Sequence, residues 1–410
     1  MKILHLSDLH LGKRVNEFSM MDDQRHILKE ITEIAVKEAP DCIIIAGDVY
    51  DKSVPSAEAV ELMDEFLTGL AAKGLKVLII SGNHDSQERL AFGNRLMEGS
   101  GIMIAGAYKR TVPKVTLTDE YGEADVWLLP FIKPVHVKKY MEDGGEGGET
   151  GEETEDPSAV SVSRIQMSYN DALKYVVDHM DMDKTRRNVL VTHQFVTGAL
   201  RSDSEEVSVG GTDGVDRGIF KDFDYVALGH IHGPQNLGDP ELGAERIRYC
   251  GTPLKYSFSE AGHNKSVTVV ELGAKGEGEK LAELKLRTIP LVPLHDMKEI
   301  RGTYEELAAR SYYEGTTLRD DYVHITLTDE EDVVDAMARF RTIYRNLMKL
   351  DYDNTRTRTG SAITGAETVE NRSPLDLFEE LYTGQNGSIL TQEQKTYMQE
   401  IIEHIWEGRS

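Results

Sequence analysis

Val77-Leu78-Ile79-Ile80-Ser81-Gly82-Asn83-His84-Asp85 is the stretch on which the reading of this chain turns. Four apolar residues, three of them β-branched, lead into a Ser-Gly pair and then an amide, an imidazole and a carboxylate. The run is too short for a helix and closes on a turn signal, so it predicts a buried strand. Three polar side chains at the mouth of a buried strand are costly to leave without partners, and they point to a site.

The same pattern recurs on either side. Ile3-Leu4-His5-Leu6 runs into Ser7-Asp8-Leu9-His10, and Cys42-Ile43-Ile44-Ile45 runs into Gly47-Asp48-Val49-Tyr50-Asp51. Further on, Val189-Leu190-Val191 runs into Thr192-His193, and Tyr225-Val226-Ala227-Leu228 into Gly229-His230-Ile231-His232. Between the first three strands lie two helical patterns. Asp22 to Ala39 sets Ile27, Ile31, Ile34 and Ala35 on one face and is closed by Pro40. The second has Ser56 as N-cap, an apolar stripe of Val60, Met63, Phe66, Leu67 and Leu70, and an end at Gly74. An alternation β-α-β-α-β predicts parallel strands joined by right-handed crossovers.

The rest of the chain is less regular. Val112 to Pro130 and Arg246 to Glu271 read as strands, the latter around a Gly251-Thr252-Pro253 turn, and Ile165 to Met180 reads as a helix. Near Ile289-Pro290-Leu291 the pattern changes to a small α+β unit: a helix over Thr303 to Arg310, a strand over Tyr322 to Leu327 and a helix over Glu331 to Leu350. Asn354 to Asn371 is polar. Two amphipathic helices are expected over Pro374 to Leu381 and Thr391 to Trp406. Their stripes suit either a core or a docking surface, and the polar stretch before them favours docking to a partner.

At 410 residues the chain exceeds what one core usually supports. No stretch approaches the ~20 apolar residues of a membrane span. No charged and apolar leader precedes the first strand, so no signal peptide is expected. Two cysteines, Cys42 and Cys250, are too few for a disulfide framework, which fits a reducing cytoplasm. A net charge of −25 argues by itself against nucleic acid. It excludes neither a local basic patch nor bound cations. Part of the excess sits between Glu142 and Asp156, where eight carboxylates alternate with glycines, and a solvated loop is expected over about 142–160.

In open parallel sheets ligands bind beyond the carboxyl ends of the strands. Five such ends would bring together Asp8 and His10, Asp48 and Asp51, Asn83, His84 and Asp85, His193, and His230 and His232. The i, i+2 spacing of Asp8/His10 and His230/His232 suits two ligands from one extended segment. Each group alone reads as a hydrogen-bonded core residue, as His5 does. The coincidence of all of them calls for metal. Imidazole, carboxylate and amide donors without thiolate suit Mn²⁺, Fe²⁺ or Zn²⁺. The donors are too many for one ion and fit two with a bridging carboxylate. Such a pair, about 3.5–4 Å apart, can clamp both the attacking and the departing oxygen of a phosphoester.

Asp8-x-His10, Gly47-Asp48-x-x-Asp51, Gly82-Asn83-His84-Asp85, Thr192-His193 and Gly229-His230-x-His232 together resemble the five signatures of the calcineurin-like metallophosphoesterase superfamily. The resemblance implies a four-layer α-β-β-α sandwich. It implies that Asp8, His10 and His232 hold one ion and Asn83, His193 and His230 the other, with Asp48 bridging. It places His84 against the phosphate. Asp85 would fix the orientation of His84 or else cap the next turn.

A closer likeness covers most of the chain. The opening Lys2 to Gly12, Phe223 to His232, Tyr249 to Glu260, Ile289-Pro290-Leu291 leading into Arg301-Gly302, and Ser373 to Phe378 are similar to the bacterial SbcD branch of the Mre-type DNA-repair nucleases. This implies a nuclease domain over 1–288, a capping domain over 289–353, a linker over 354–371 and a partner-binding segment over 372–410. It also implies a Mn²⁺-dependent exonuclease and endonuclease acting on DNA ends, hairpins and single strands. The implied partner is an SbcC-like, SMC-type ATPase, in a heterotetramer built on a homodimer of the nuclease chain. Asp51 stands where relatives outside bacteria carry histidine, which leaves it to hydrogen-bond a ligating histidine instead. Lys255, Tyr256, Phe258, His263 and Lys265 are candidates for DNA contact or, equally, a solvated rim. A small-molecule phosphodiesterase and a non-catalytic scaffold are the competing classes.

Overall fold

A computed structural model describes residues 1–142, 167–205, 213–239, 243–276 and 280–357, with isolated positions between 378 and 398. It divides into two compact units, Met1–Asp296 and Met297–Ser410.

The first unit opens with β1 (Lys2–Leu6), α1 (Met21–Glu38), β2 (Cys42–Ala46), α2 (Ala57–Ala71), β3 (Val77–Ile80) and β4 (Ile102–Ala105). It continues with β5 (Lys114–Asp119), β6 (Gly122–Leu129), α3 (Pro134–Glu142), α4 (Tyr169–Asp178), β7 (Arg187–His193) and β8 (Tyr225–Gly229). Four further strands complete its two large sheets: β9 (Gln235–Asn236), β10 (Ile247–Tyr249), β11 (Ser266–Leu272) and β12 (Leu284–Pro290). These form two six-stranded sheets, ordered β12-β11-β1-β2-β3-β4 and β9-β10-β8-β7-β6-β5. In each sheet the four consecutive strands that carry the site loops or flank them are parallel, and antiparallel strands close the edges.

The sheets pack face to face. Ile3, Ile44, Ala46, Leu78 and Ile80 of the first share one core with Val126, Leu128, Val189, Val191 and Ala227 of the second. Strand alternation then turns Leu4, Ile43, Ile45 and Ile79, all buried, to the opposite face of the first sheet. Burial on both faces is why these strands read as unbroken apolar runs. The outer face of the second sheet packs Trp127, Leu129, Leu190, Val226 and Leu228 with Ala172, Leu173 and Val176 of α4. Helix, sheet, sheet and helix give the four layers.

Helix starts follow local chemistry. The Ser56 side chain accepts from the Ala59 N–H at the head of α2. Ser168 and Asp171 form a reciprocal capping box on α4. That box sets the start of α4 at Tyr169, inside the expected Ile165–Met180 span. The acidic stretch over 142–160 lies almost wholly outside the described residues.

The second unit holds a parallel three-stranded sheet, β13 (Met297–Gly302), β14 (Tyr322–Leu327) and β15 (Asn346–Tyr352), with α5 (Tyr304–Ala308) and α6 (Ala336–Arg341). The expected helix over Glu331 to Leu350 is corrected here. Its apolar spacing is shared between α6 and β15, and the Tyr344 hydroxyl donates to the Leu307 carbonyl at 2.7 Å in the turn between them. β15 instead satisfies its backbone groups along the open edge of β14. The two expected terminal helices lie largely outside the described residues.

Candidate metal centre

The register of the sheets brings five strand ends to one place. Leu6 pairs with Ile45, Ala46 with Ile80, and Gly229 with His193. The loops leaving these ends bring their polar side chains into contact with one another. Asp8 and His10 are not on an extended segment, as their spacing suggested. Their φ angles are 53° and 45°, and those of Asp48 and His230 are 48° and 102°. Four of the nine non-glycine residues with positive φ among those described therefore carry site side chains. Each such conformation costs about 1–3 kcal/mol and persists only where the surroundings over-determine it. Here backbone bonds between loops do so: Asp8 N–H to the Gly47 carbonyl at 3.0 Å, His10 N–H to Asp48 at 3.0 Å and Leu11 N–H to Val49 at 2.9 Å.

The donor atoms converge. His10 Nε2 lies 3.1 Å from His232 Nε2. Asn83 Oδ1 lies 2.9 Å from His193 Nε2 and 3.0 Å from His230 Nδ1. Asp48 Oδ2 stands between the two groups, 3.2 Å from His193 Nε2 and 3.8 Å from His10 Nε2. Asp8 accepts from the His230 N–H at 2.9 Å and from Ser7 Oγ. Asp8, His10 and His232 can bring ligand atoms within 4.8 Å of one another, as can Asp8, Asp48 and His193. His10, Asp48 and His84 form a third such group.

The electrostatics suit a cation. Burial pushes the Asp8 carboxyl up to about 6. Burial acts the same way on Asp48, but the His193 charge and hydrogen bond outweigh it and hold Asp48 well below the usual carboxylate range. Burial lowers His193, and the Asp48 carboxylate overrides it, raising the imidazole to about 9. Burial drives His10 well below its usual value and His230 to about 3. The cluster thus keeps His10 and His230 neutral, as ligation requires, and gathers positive charge beside Asp48. Filling His193 with a metal would displace its proton.

The calcineurin-like phosphoesterase family matches residues 1–234, more than half of the chain. The chain belongs to that family. Its members use a dinuclear metal centre, and the donor set just described fits one. Residues 293–386 of this metallophosphoesterase match SbcD_C, the Type 5 capsule protein repressor C-terminal domain. A protein from Staphylococcus epidermidis, named as the SbcD component of the SbcCD nuclease, is 31% identical over 85% of each chain. One of the same name from Staphylococcus saprophyticus is 29% identical over 100% of each. These relatives place the phosphoesterase in the SbcD branch. Among solved structures, a dimetal phosphatase from Danio rerio is 10% identical, covers 72% of this chain and 98% of its own, and aligns with a TM-score of 0.38.

His84 sits at the edge of the cluster. Its Nδ1 donates to the Asp51 carbonyl at 2.9 Å, its backbone N–H donates to Asp48 Oδ1 at 2.9 Å, and its Nε2 lies 4.0 Å from Asp48 Oδ2. Asp85 neither orients His84 nor caps the next turn, and both expectations are corrected. Its oxygens accept three backbone N–H groups, from Val49 at 3.1 Å, Tyr50 at 2.9 Å and Gly82 at 2.9 Å. One carboxylate thus clamps the Asp48 loop to the Asn83 loop. Asp51 pairs with Lys13 at 2.7 Å and faces His10 Nδ1 at 3.8 Å, too far for a hydrogen bond.

The loop after Tyr249 turns three of its five candidate side chains inward and leaves Ser259, Gly262 and Asn264 exposed. Tyr256 is buried and donates to the Leu9 carbonyl at 2.6 Å, behind His10. Lys255 pairs with Asp296 at 2.8 Å, Lys265 is buried against Glu260 at 2.5 Å, and Phe258 is buried. These four side chains brace the site, and His263, the fifth candidate, is partly exposed. Ser204, Glu205 and Glu260, which the sequence pattern did not single out, reach His232 from behind. Ser204 and Glu205 belong to a polar stretch with no apolar run to frame them, so no periodicity could mark them.

Proposed function

We propose that this chain is a manganese-dependent DNA exonuclease and endonuclease, acting on ends, hairpins and single strands as the nuclease component of an ATP-dependent complex. The observation that carries the phosphodiester chemistry is the convergence of Asp8, His10, Asp48, Asn83, His193, His230 and His232 at five strand ends. DNA as the substrate is supported by relatives named as nuclease components that match along 85% to 100% of the chain.

In this reading Asp8, His10 and His232 hold one ion, Asn83, His193 and His230 hold the other, and Asp48 lies between them. Divalent ions supply Lewis acidity there, activating water at neutral pH and offsetting charge on the phosphate. His84 Nε2, facing the cluster from its edge, stabilises charge on the phosphoryl oxygens or protonates the departing 3′-oxygen. The Asp51 carbonyl fixes the ring by holding Nδ1–H. Asp85 keeps the two loops at the spacing that the shared ion needs.

Residues 372–410 dock an SMC-type ATPase of the SbcC kind, two copies of this chain pair within the complex, and the assembly works in the cytoplasm. The acidic surface leaves duplex binding to that partner. The test is metal analysis of the full chain, followed by cleavage of labelled single-stranded, hairpin and duplex DNA with Mn²⁺, Mg²⁺ or chelator. DNA should be cut far faster than cyclic nucleotides. Faster turnover of cyclic nucleotides overturns the DNA assignment, and absence of bound metal overturns the chemistry. Deleting 372–410 should abolish association with the ATPase and spare single-strand cleavage.

A further inference from the structure

Behind His232, on the side away from His10, stands a chain of buried polar groups. His232 Nδ1 lies 2.7 Å from Ser204 Oγ and 3.4 Å from Glu260 Oε1. Ser204 Oγ lies 2.6 Å from Glu260 Oε1. The other oxygen of Glu260 meets Lys265 Nζ at 2.5 Å. Lys265 also donates to the Thr252 hydroxyl at 2.6 Å and to the His232 carbonyl at 2.9 Å. Glu260 and Thr252 are 0% exposed and Lys265 7%. A buried ion pair is a poor source of stability, so its position under one histidine asks for another explanation.

Hydrogen-bond direction supplies it. Glu260 Oε2 faces the Lys265 ammonium at 2.5 Å, and a carboxylate paired in this way can only accept. Two oxygens at 2.6 Å need a hydrogen between them, so Ser204 donates to Glu260. The Ser202 hydroxyl, 2.9 Å from Ser204, donates to Glu205 Oε2 at 2.7 Å. With its hydrogen committed, Ser204 accepts from His232, and Nδ1 carries the proton. The ring atom left free to bind a cation is therefore Nε2, the atom facing His10 Nε2 at 3.1 Å.

We propose that Ser204 is a positioning residue for His232. Through the row Lys265–Glu260–Ser204 it fixes the tautomer and ring orientation that present Nε2 to a divalent cation at Asp8, His10 and His232. The proposal rests on the metal assignment given above. It applies to one half of the site alone. His193, in the other half, has Nδ1 2.8 Å from the Ala46 carbonyl, a backbone partner independent of Ser204. Groups behind a ligating histidine typically govern metal affinity by about 10–100-fold.

The test titrates Mn²⁺ into the metal-free full chain by calorimetry, for the wild type, Ser204→Ala and Ser204→Thr. Ser204→Ala should weaken one of two Mn²⁺ sites by about 10–100-fold, leave the other unchanged, and regain most of the loss in Ser204→Thr. Side-chain ¹⁵N spectra of histidine-labelled, metal-free protein should show His232 protonated at Nδ1 in the wild type and as a tautomer mixture in Ser204→Ala. Equal weakening of both sites, or no weakening, overturns the positioning role, as does an unchanged tautomer. A wild-type chain that binds no Mn²⁺ overturns the metal assignment itself, which separates the two failures.

Discussion

Arg187 and Asp119 form a two-pronged ion pair at the end of the sandwich remote from the site. The guanidinium donates to the two carboxylate oxygens at 2.5 and 2.8 Å. Arg187 begins β7 in one sheet, is 1% exposed, and also reaches the Leu272 carbonyl of β11 in the other sheet at 3.3 Å. It therefore ties the two sheets where no metal helps to hold them. The bond to Arg187 keeps the Asp119 carboxyl well below the usual range.

A depressed carboxylate has a defined pH signature. It binds its proton less readily folded than unfolded, so its contribution is complete above the unfolded value of about 3.9 and is lost as pH falls toward the folded one. Asp119→Asn should lower stability at pH 7 by about 2–3 kcal/mol, the scale of charge-assisted hydrogen bonds. Urea unfolding at a series of pH values checks this. The gap between wild type and variant should be constant from neutral pH down to about 4 and narrow below it. A gap that widens on acidification would refute the assignment.

Asp85 acts on the backbone, so its removal should be felt as lost architecture. Asp85→Ala leaves the Val49, Tyr50 and Gly82 N–H groups without their acceptor. Unsatisfied buried donors cost about 1–3 kcal/mol each, with partial relaxation. The expected result is a lower melting temperature together with fewer than two bound Mn²⁺ per chain. Full metal content with reduced turnover would mean that Asp85 works in the chemistry after all.

His84 predicts the opposite split. His84→Ala should keep the metal content and lose DNA cleavage by orders of magnitude. Its two possible roles separate on the leaving group. Bis(p-nitrophenyl) phosphate releases a stable phenolate that needs no proton. If His84 protonates the 3′-oxygen, His84→Ala keeps activity on that ester. If it stabilises phosphoryl charge, both activities fall together. Comparable DNA cleavage by variant and wild type would remove His84 from the mechanism.

The parts legible in the sequence are those set by local rules. β1, β2, β3, β7 and β8 are buried on both faces, so each is an unbroken apolar run, and the polar residues that follow stand out. The helical spacing of Val333, Met337, Phe340, Tyr344 and Leu347 misled because those side chains do share a core, reached through α6, a turn and β15. Periodicity cannot tell one continuous helix from two elements that pack together. Lys265 reads as a phosphate contact because its partner, Glu260, lies five residues earlier in an irregular loop, where neither a helical nor a strand period marks the pair. Asp85 stands beside His84 in the sequence, yet two of its three bonds run to a loop 35 and 36 residues earlier and the third to Gly82.

The glycine of the Gly229-His230-x-His232 motif has a reason that lies in the contact between the sheets. A Cβ at Gly229 would run into the Ala46 carbonyl oxygen of the facing sheet and come within 2.7 Å of His193 Nδ1. That carbonyl is the acceptor that orients His193, so the glycine leaves room for the hydrogen bond as well as for the sheets. Gly229→Ala should lower stability by about 1–3 kcal/mol, the usual cost of overpacking, and displace the His193 ring. Gly262, whose Cβ would meet open space, provides the control. Gly262→Ala should stay within about 0.5 kcal/mol of wild type. Urea unfolding and Mn²⁺ stoichiometry, measured on both variants, check the pair. If Gly229→Ala binds two ions and unfolds like Gly262→Ala, the sheets are not held at the separation that this site requires.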